Sequence, residues 1–131
     1  MPFANNNLCV INLAFPDVCN TPTPVGPIPV PMVNIAFSCT HIPSVINVII
    51  GGGMAENLMT FGTLSDFDEA GAAMGVASGT IIGPDHAVVG SFKALIGPAP
   101  GTKMLSITIQ NTVNAPGASL SPGQVQVMIL S

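Results

Sequence analysis

The chain has 131 residues, of which 48% are hydrophobic and only 6% are charged, and its formal net charge is −4 at pH 7. Its cations are Lys93 and Lys103 alone, so no basic patch can form, which excludes proteins that bind nucleic acid or anionic lipid through such a patch. The length predicts a single domain over residues 1–131.

The mean hydropathy of +0.64 raises the question of a membrane span. Residues 18–55 and 104–131 carry no charge, but proline, glycine and amide residues interrupt both stretches. Neither therefore offers the ~20 continuous apolar residues of a spanning helix. The start of the chain has no basic region followed by an apolar run, so it is not a secretory signal peptide. We expect a protein made in the cytoplasm, without a stable membrane span, that leaves the cell by another route if it leaves.

Short segments rich in β-branched residues recur along the chain, each bounded by glycine, proline, asparagine or aspartate. They predict strands at residues 9–15, 33–39, 44–50, 79–83, 87–97, 104–112 and 124–130. In the last segment Val125, Val127 and Ile129 alternate with Gln124, Gln126 and Met128, as in a two-faced strand. The pattern predicts an all-β fold.

Five prolines lie between the first two predicted strands, in residues 21–32. Proline fixes φ and lacks an N–H donor, so this segment must be extended, close to polyproline II, and unable to sit inside a sheet. We interpret it as a stiff strut laid along the outside of the β-body or docked on a partner.

One helical candidate covers residues 65–77. Asp66 and Glu69 have the spacing of a capping box, whereas Gly71 and Gly75 weaken a helix. The segment predicts a short helix or a couple of turns.

Catalytic motifs are lacking in the sequence. His41 and His86 are its only histidines, no nucleophile elbow accompanies them, and the glycines at residues 51–53 lack the lysine of a phosphate-binding loop. We therefore expect no enzyme. A small hydrolase with His41 or His86 as its base is the alternative that stays open.

A bound metal is the one chemistry with some support in the sequence. Cys39 and His41 are two residues apart, which places them on one face of a strand. His86 with Cys19 or Cys9 would complete a tetrahedral set of nitrogen and sulfur ligands, as structural zinc prefers. The alternative is that the cysteines are buried thiols and the histidines lie on the surface.

Four segments resemble, in order, the PAAR-like family of spike-tip proteins. Residues 12–36 (NLAFPDVCNTPTPVGPIPVPMVNIA) are similar to that family's opening, and residues 68–84 (DEAGAAMGVASGTIIGP) to its acidic, glycine-rich segment. Residues 89–100 (VGSFKALIGPAP) resemble the strand before its proline–alanine pair, and residues 108–130 (TIQNTVNAPGASLSPGQVQVMIL) its closing strand. The resemblance therefore covers nearly the whole chain.

The resemblance implies a compact, conical β-prism whose base caps the trimeric VgrG-type spike of a type VI secretion or related contractile injection system. Such a tip assists membrane puncture and effector delivery, and it is exported with the spike without a signal peptide. The chain ends near its last predicted strand, as expected of a bare tip. An adaptor that loads a separate toxic effector onto the spike is the alternative function.

The resemblance also implies a zinc ion near the apex. The family's usual set of three histidines and one cysteine cannot form here, because the chain has two histidines. A cysteine-richer set of Cys19, Cys39, His41 and His86 is the corresponding prediction. The sequence also departs from the family pattern after the proline–alanine pair, where it reads Pro100-Gly101-Thr102.

Overall fold

The computed structural model describes residues 2–43 and 45–130. Within them the chain forms short strands, one 3₁₀ turn at Ser38–Thr40 and no α-helix. The strands are β1 (Ile11–Thr21), β2 (Ile28–Phe37), β3 (His41–Ile42), β4 (Ile49–Ile50), β5 (Gly53–Met54), β6 (Phe61–Gly62), β7 (Asp85–Ala87), β8 (Leu95–Ile96), β9 (Ala99–Pro100), β10 (Ile107–Gln110) and β11 (Ala115–Ser119). The predicted all-β fold is confirmed.

Seven of these strands form one antiparallel sheet in the order β2-β1-β11-β10-β7-β6-β3. The long β1–β2 hairpin forms one edge, and β3 forms the other. Two small hairpins, β4–β5 and β8–β9, lie outside this sheet. The N-terminal residues join distant parts of the chain, since Phe3 bridges Met128 and Asn6 bridges Ala55.

The proline-rich segment divides into a turn and an edge strand. Thr23 and Gly26 exchange backbone hydrogen bonds of 3.0 and 3.2 Å across the turn, and the chain then enters β2, which contains Pro29 and Pro31. Strand β2 pairs with β1 on one side, and its other side carries only the isolated bridge from Ile35 to Asp66. The prolines therefore occupy a sheet edge, where a missing N–H is tolerated. The segment therefore lies on the outside of the β-body as predicted, but half of it is itself a strand.

The helix considered for residues 65–77 does not form. The N–H of Asp66 donates to the carbonyl of Ile35 at 2.7 Å in a β-bridge, so Asp66 does not cap a helix. Phe67 and Met74 have φ of 81° and 73°, in the left-handed region. The segment is a succession of turns.

Two of the predicted strands do not form, two form only in part, and several short strands were not predicted. Residues 79–83 are turns, and residues 124–130 hold only an isolated bridge at Met128. The Gln124 side chain explains the second error: its Oε1 accepts the N–H groups of Gln126 and Val127 at 2.7 and 2.8 Å, which bends the chain. The predicted strand at residues 44–50 shrinks to β4, and Ser44 lies outside the described residues. Of the predicted strand at residues 87–97, only Ala87 at the end of β7 and the two residues of β8 are strand. Strands β3, β5, β6, β9 and β11 were not predicted.

The interior is mostly polar. Among the described residues, buried polar and charged side chains outnumber buried hydrophobic ones. A small hydrophobic cluster of Ala4, Ala55, Ile96 and Ile129 holds the two hairpins together with the N-terminal segment. Many large apolar side chains are exposed instead. No helix in the described part of the chain is long and apolar enough to cross a membrane.

Candidate functional site

Four of the six carboxylates of the chain are buried, and they form two clusters. The first, here called the carboxylate–amide cluster, contains Asp17, Asp68 and the thiol of Cys19, surrounded by asparagine side chains. The second, here called the histidine–carboxylate cluster, contains His41, Glu56 and Asp85. The elements that build each cluster follow from local sequence.

Strand β1 supplies two members of the carboxylate–amide cluster. Asp17 and Cys19 are two residues apart, so both point to the same face of the strand, and both are fully buried. Asp68 comes from the turns that replace the predicted helix. Gly71 permits the close approach of that segment, because a Cβ atom at this glycine would overlap the Cys19 side chain.

Asparagine side chains satisfy the two buried carboxylates. Asn111 donates to Asp17 at 3.2 Å and to Asp68 at 2.9 Å, and Asn34 and Asn114 also donate to Asp17. Hydrogen bonds of this kind are what allow a carboxylate to be buried without a cation beside it.

Burial and negative neighbours govern the ionisation of this cluster. Burial, reinforced by a 3.2 Å hydrogen bond from the Cys19 thiol to Asp17, raises the pKa of Cys19 to about 12. Burial also raises the pKa of Asp68, against the opposing effect of the backbone N–H of Ile82. In the metal-free protein Cys19 is therefore a neutral thiol at physiological pH.

The same three side chains could hold a metal ion. One ligand atom from each of Asp17, Cys19 and Asp68 lies within 4.8 Å of the others. A thiolate and two carboxylates supply three of the four ligands of a tetrahedral site. A cation there would displace the Cys19 proton and the amide N–H groups that now satisfy the carboxylates.

The structure does not gather the four predicted metal ligands into one group. Cys19 is buried beside Asp17, whereas Cys39 is exposed. His41 is buried between carboxylates, and the His86 ring packs against Phe61 with the ring centres 5.5 Å apart. Of the described residues, the group that could hold a metal contains Cys19 alone from the predicted set. Metal binding by the other three stays a prediction.

The histidine–carboxylate cluster is built across three neighbouring strands. His41 of β3 is opposite Gly62 of β6, which is opposite Asp85 of β7. Gly62 has no side chain, so the Asp85 carboxylate reaches across β6 and its Oδ2 lies 3.2 Å from His41 Nε2. A Cβ atom at residue 62 would overlap Asp85 Oδ1 and would lie 3.0 Å from the imidazole.

Both imidazole nitrogens of His41 face carboxylates. Nδ1 is hydrogen-bonded to Glu56 Oε1 at 2.9 Å, whereas the Nε2 contact with Asp85 is an ion pair by distance without good hydrogen-bond alignment. Burial lowers the pKa of His41, but the two carboxylates outweigh it and raise the pKa to about 10. His41 is therefore a cation at neutral pH, and it neutralises charge in the interior.

A small polar cavity adjoins His41. Its volume is about 10 Å³, and its walls include Asn5, Thr102 and Thr108, each with a side-chain oxygen that has no protein partner. This volume admits about one water molecule. The cavity therefore has room beside His41 for a water molecule and for nothing larger.

The surface around residues 88–95 is apolar. Phe92 and Leu95, which are 91% and 71% exposed, border a groove of about 290 Å³ that is otherwise lined mainly by Leu58, Val88, Val89 and Pro100. A second depression of about 280 Å³ lies beside it, around Lys93, Ala94 and residues 128–130. We call the surface formed by Phe92, Leu95 and Leu130 the apolar end.

Few features of the sequence indicate that these carboxylates are buried. The i, i+2 spacing of Asp17 and Cys19 within a predominantly apolar strand was the one signal that both face the interior. Glu56, Asp68 and Asp85 come from irregular segments or a very short strand, and long-range packing alone brings them inside.

An all-β body with polar clusters sealed inside and apolar side chains outside has the character of an interaction protein. A sequence model of the toxin PAAR-like domain matches residues 10–117 of the chain. The chain therefore belongs to the PAAR-like family, and the resemblance noted in its sequence is confirmed. No curated protein matches the chain. No solved structure matches it either.

Proposed function

We propose that this protein is the structural tip of a contractile injection spike. It caps and sharpens the trimeric VgrG-type spike of a type VI secretion or related system, and so assists membrane puncture and effector delivery. The observation that carries this proposal is membership of the PAAR-like family over residues 10–117. The protein is made in the cytoplasm and exported with the spike without a signal peptide.

The packing of the chain supports a mechanical role. Hydrogen bonds between buried side chains tie strands that are far apart in sequence, for example Asn111 to Asp17 and Asn12 to Asp85. Hydrogen bonds between buried side chains are directional, and they stiffen the interior. Neither polar cluster is open to a substrate, so we propose that the protein has no catalytic function.

The apolar end supports a location for the spike interface. Interface cores are enriched in aromatic and large apolar side chains and depleted of charge. Phe92 and Leu95 are exposed at the border of a groove. Lys93 is the one charged residue among those that line the groove and the second depression. A spike trimer that ends in apolar side chains would cover this surface.

Binding to the spike is tested with purified protein and the trimeric spike protein from the same genome. We expect co-elution at one tip per trimer. Phe92→Asp should weaken binding about 10-fold or more, as loss of a buried aromatic anchor does. Val25→Asp is the matched control, since Val25 is 88% exposed but lies in the β1–β2 turn. Absence of binding to any spike trimer would overturn the proposal.

An effector adaptor is the second candidate function, favoured by the description of the matched family as a toxin PAAR-like domain. An adaptor binds a toxin encoded nearby and brings it to the spike. Co-elution with such a toxin, unaffected by Phe92→Asp, would identify this role in addition to capping.

We further propose that zinc, if the family's metal is retained, is held at the carboxylate–amide cluster. Metal content measured on the co-elution sample tests this. Zinc near one per chain that disappears in Cys19→Ser but persists in Cys39→Ser would support the cluster. Loss in Cys39→Ser and His41→Gln instead would support the set predicted from sequence.

A further inference from the structure

Cys9 and Cys39 lie opposite each other just beyond the paired ends of β1 and β2. The last residues in register are Ile11 and Phe37. One step further, the Ser38 N–H donates to the Val10 carbonyl at 3.0 Å, and the Val10 N–H donates to Ser38 Oγ at 2.7 Å. These bonds continue the antiparallel pairing by one residue on each chain, and the next residues are the two cysteines.

This placement suits a disulfide bond. Cys9 has φ of 55° and Cys39 lies in the 3₁₀ turn of Ser38–Thr40, so the two cysteines end the pairing instead of continuing it as strand residues. Each cysteine nevertheless adjoins one member of the hydrogen-bonded pair Val10 and Ser38, which brings the two Cα atoms toward the ~4.4–6.8 Å that a disulfide spans. Both side chains are exposed, so an oxidant can reach them. The neighbouring Cys9 thiol raises the pKa of Cys39, in agreement with this placement.

The third cysteine is excluded from this chemistry by its surroundings. Cys19 is fully buried, and its thiol donates to Asp17. Its pKa of about 12 leaves almost no thiolate to attack a disulfide.

We propose that Cys9 and Cys39 are a modification site that forms an intrachain disulfide when the protein meets an oxidising compartment. A low-molecular-weight disulfide such as oxidised glutathione is a sufficient oxidant. The thiolate of one cysteine attacks a glutathione sulfur, forms a mixed disulfide and releases one glutathione. The second thiolate then attacks the protein sulfur of that mixed disulfide and releases the other. The protein loses two protons and two electrons, and one oxidised glutathione becomes two reduced ones.

The bond would close a loop from residue 9 to residue 39 and fasten the β1–β2 hairpin at the end away from its turn. In the reducing cytoplasm the pair stays as thiols, and outside the cell it oxidises. The chemistry belongs to the isolated chain, so it is independent of spike binding and its test stands apart from that of the proposed function.

The experiment titrates the purified, reduced protein with mixtures of oxidised and reduced glutathione. Intact mass should fall by two hydrogens with no glutathione retained, and peptide mapping should find Cys9 linked to Cys39. The oxidised protein should melt roughly 10 °C higher than the reduced one, as expected for a loop of this length in a domain of this size. Cys19→Ser, the matched control, should oxidise like the wild type.

Variants that lack one of the two cysteines test whether the disulfide joins these two residues. Cys9→Ser should retain one glutathione on Cys39, and Cys39→Ser one on Cys9, because neither adduct can be resolved within the chain. The proposal is overturned if the wild type carries separate glutathione adducts on both cysteines, forms dimers linked between chains, or couples either cysteine to Cys19. A metal found bound to Cys9 and Cys39 and blocking oxidation would also overturn it.

Discussion

Gly62 is the residue on which the histidine–carboxylate cluster depends most directly. It stands between His41 and Asp85 in the sheet, and the carboxylate passes through the space that a side chain would fill. The need here is steric, since Gly62 is not among the glycines with positive φ. Glycine in a strand often marks such a close approach.

Gly62→Ala should destabilise the protein by about 3–5 kcal/mol, the usual effect of breaking a buried ion pair. The added methyl group would drive the Asp85 carboxylate away from His41. The free energy of unfolding from urea titration measures the loss.

Gly79→Ala is the control for this substitution. Gly79 has φ of 68° and open space around its Cβ position, so alanine there should cost only about 1–2 kcal/mol of backbone strain. If both substitutions lower the free energy of unfolding equally, the contact between Asp85 and His41 does not depend on the absence of a side chain at residue 62.

The raised pKa of His41 makes stability depend on pH in a defined direction. Below pH 6.5, His41 is protonated in both the folded and unfolded states, and its ion pairs stabilise the fold in full. Between pH 6.5 and about 10 only the folded state keeps the proton, so stability falls as pH rises. The slope attributable to one such group is about 1.4 kcal/mol per pH unit.

Urea unfolding at several pH values between 6.5 and 10 should reveal this slope, and His41→Gln should flatten it. His86→Gln, which leaves the buried cluster intact, should keep the wild-type slope. A His41→Gln profile parallel to that of the wild type would contradict the assignment, whatever the absolute stabilities.

At the scale of elements, the outer edge of β2 is protected by its prolines. The N–H and C=O groups of Asn20 bond Met74 and Ala73 on the far side of β1, away from β2. Asn20 and its partner Pro29 therefore form a non-hydrogen-bonded pair of the antiparallel ladder. The ring nitrogen of Pro29 faces the open edge of β2. Pro31, two residues on, has the same orientation. The edge lacks two N–H donors that another strand would need.

Replacing Pro29 and Pro31 together by alanine should expose those donors. We expect a change in the free energy of unfolding of about 1 kcal/mol or less, because the strand conformation is kept. Aggregation should nevertheless rise, as measured by light scattering of concentrated protein over time.

Pro24→Ala, in the turn outside β2, should leave light scattering unchanged. Equal aggregation of this control and the double variant, or no increase in either, would mean that the prolines do not protect the edge.

The pattern of apolar residues in the sequence predicted strands correctly only where those residues are buried in the fold. The first two strands were found because β-branched residues run through β1 and the second half of β2. Strand β11 reads Ala-Pro-Gly-Ala-Ser, which has no strand propensity, and its partners β1 and β10 hold it in place. Residues 124–130 show the opposite error, since their alternation is overridden by the Gln124 side chain.

At the scale of the whole molecule, polar and apolar side chains have partly exchanged their usual places. Composition indicated a surface short of charge, and the burial of four of the six carboxylates reduces the surface charge further. Composition could not indicate that amide side chains would fill the interior. That outcome depends on hydrogen bonds between residues about 90 apart in sequence, such as Asn111 with Asp17.

A molecule with so apolar a surface should self-associate when its partner is absent. We expect sedimentation velocity to show oligomers of the isolated protein that grow with concentration. The double variant Phe92→Asp, Leu95→Asp should be markedly more monomeric, because two charges in the groove oppose burial of that surface. Its free energy of unfolding should change by less than about 0.5 kcal/mol, since both side chains are exposed.

Val25→Asp again serves as the matched control and should self-associate like the wild type. If the proposed function is right, addition of the trimeric spike should convert the wild-type oligomers into a defined complex, because the apolar end cannot contact a second copy of the chain and the spike at once. Oligomers that persist in the double variant, or that bind the spike without dissociating, would place the self-associating surface elsewhere on the molecule. In that case the spike contact would have to be sought at another of the exposed apolar side chains.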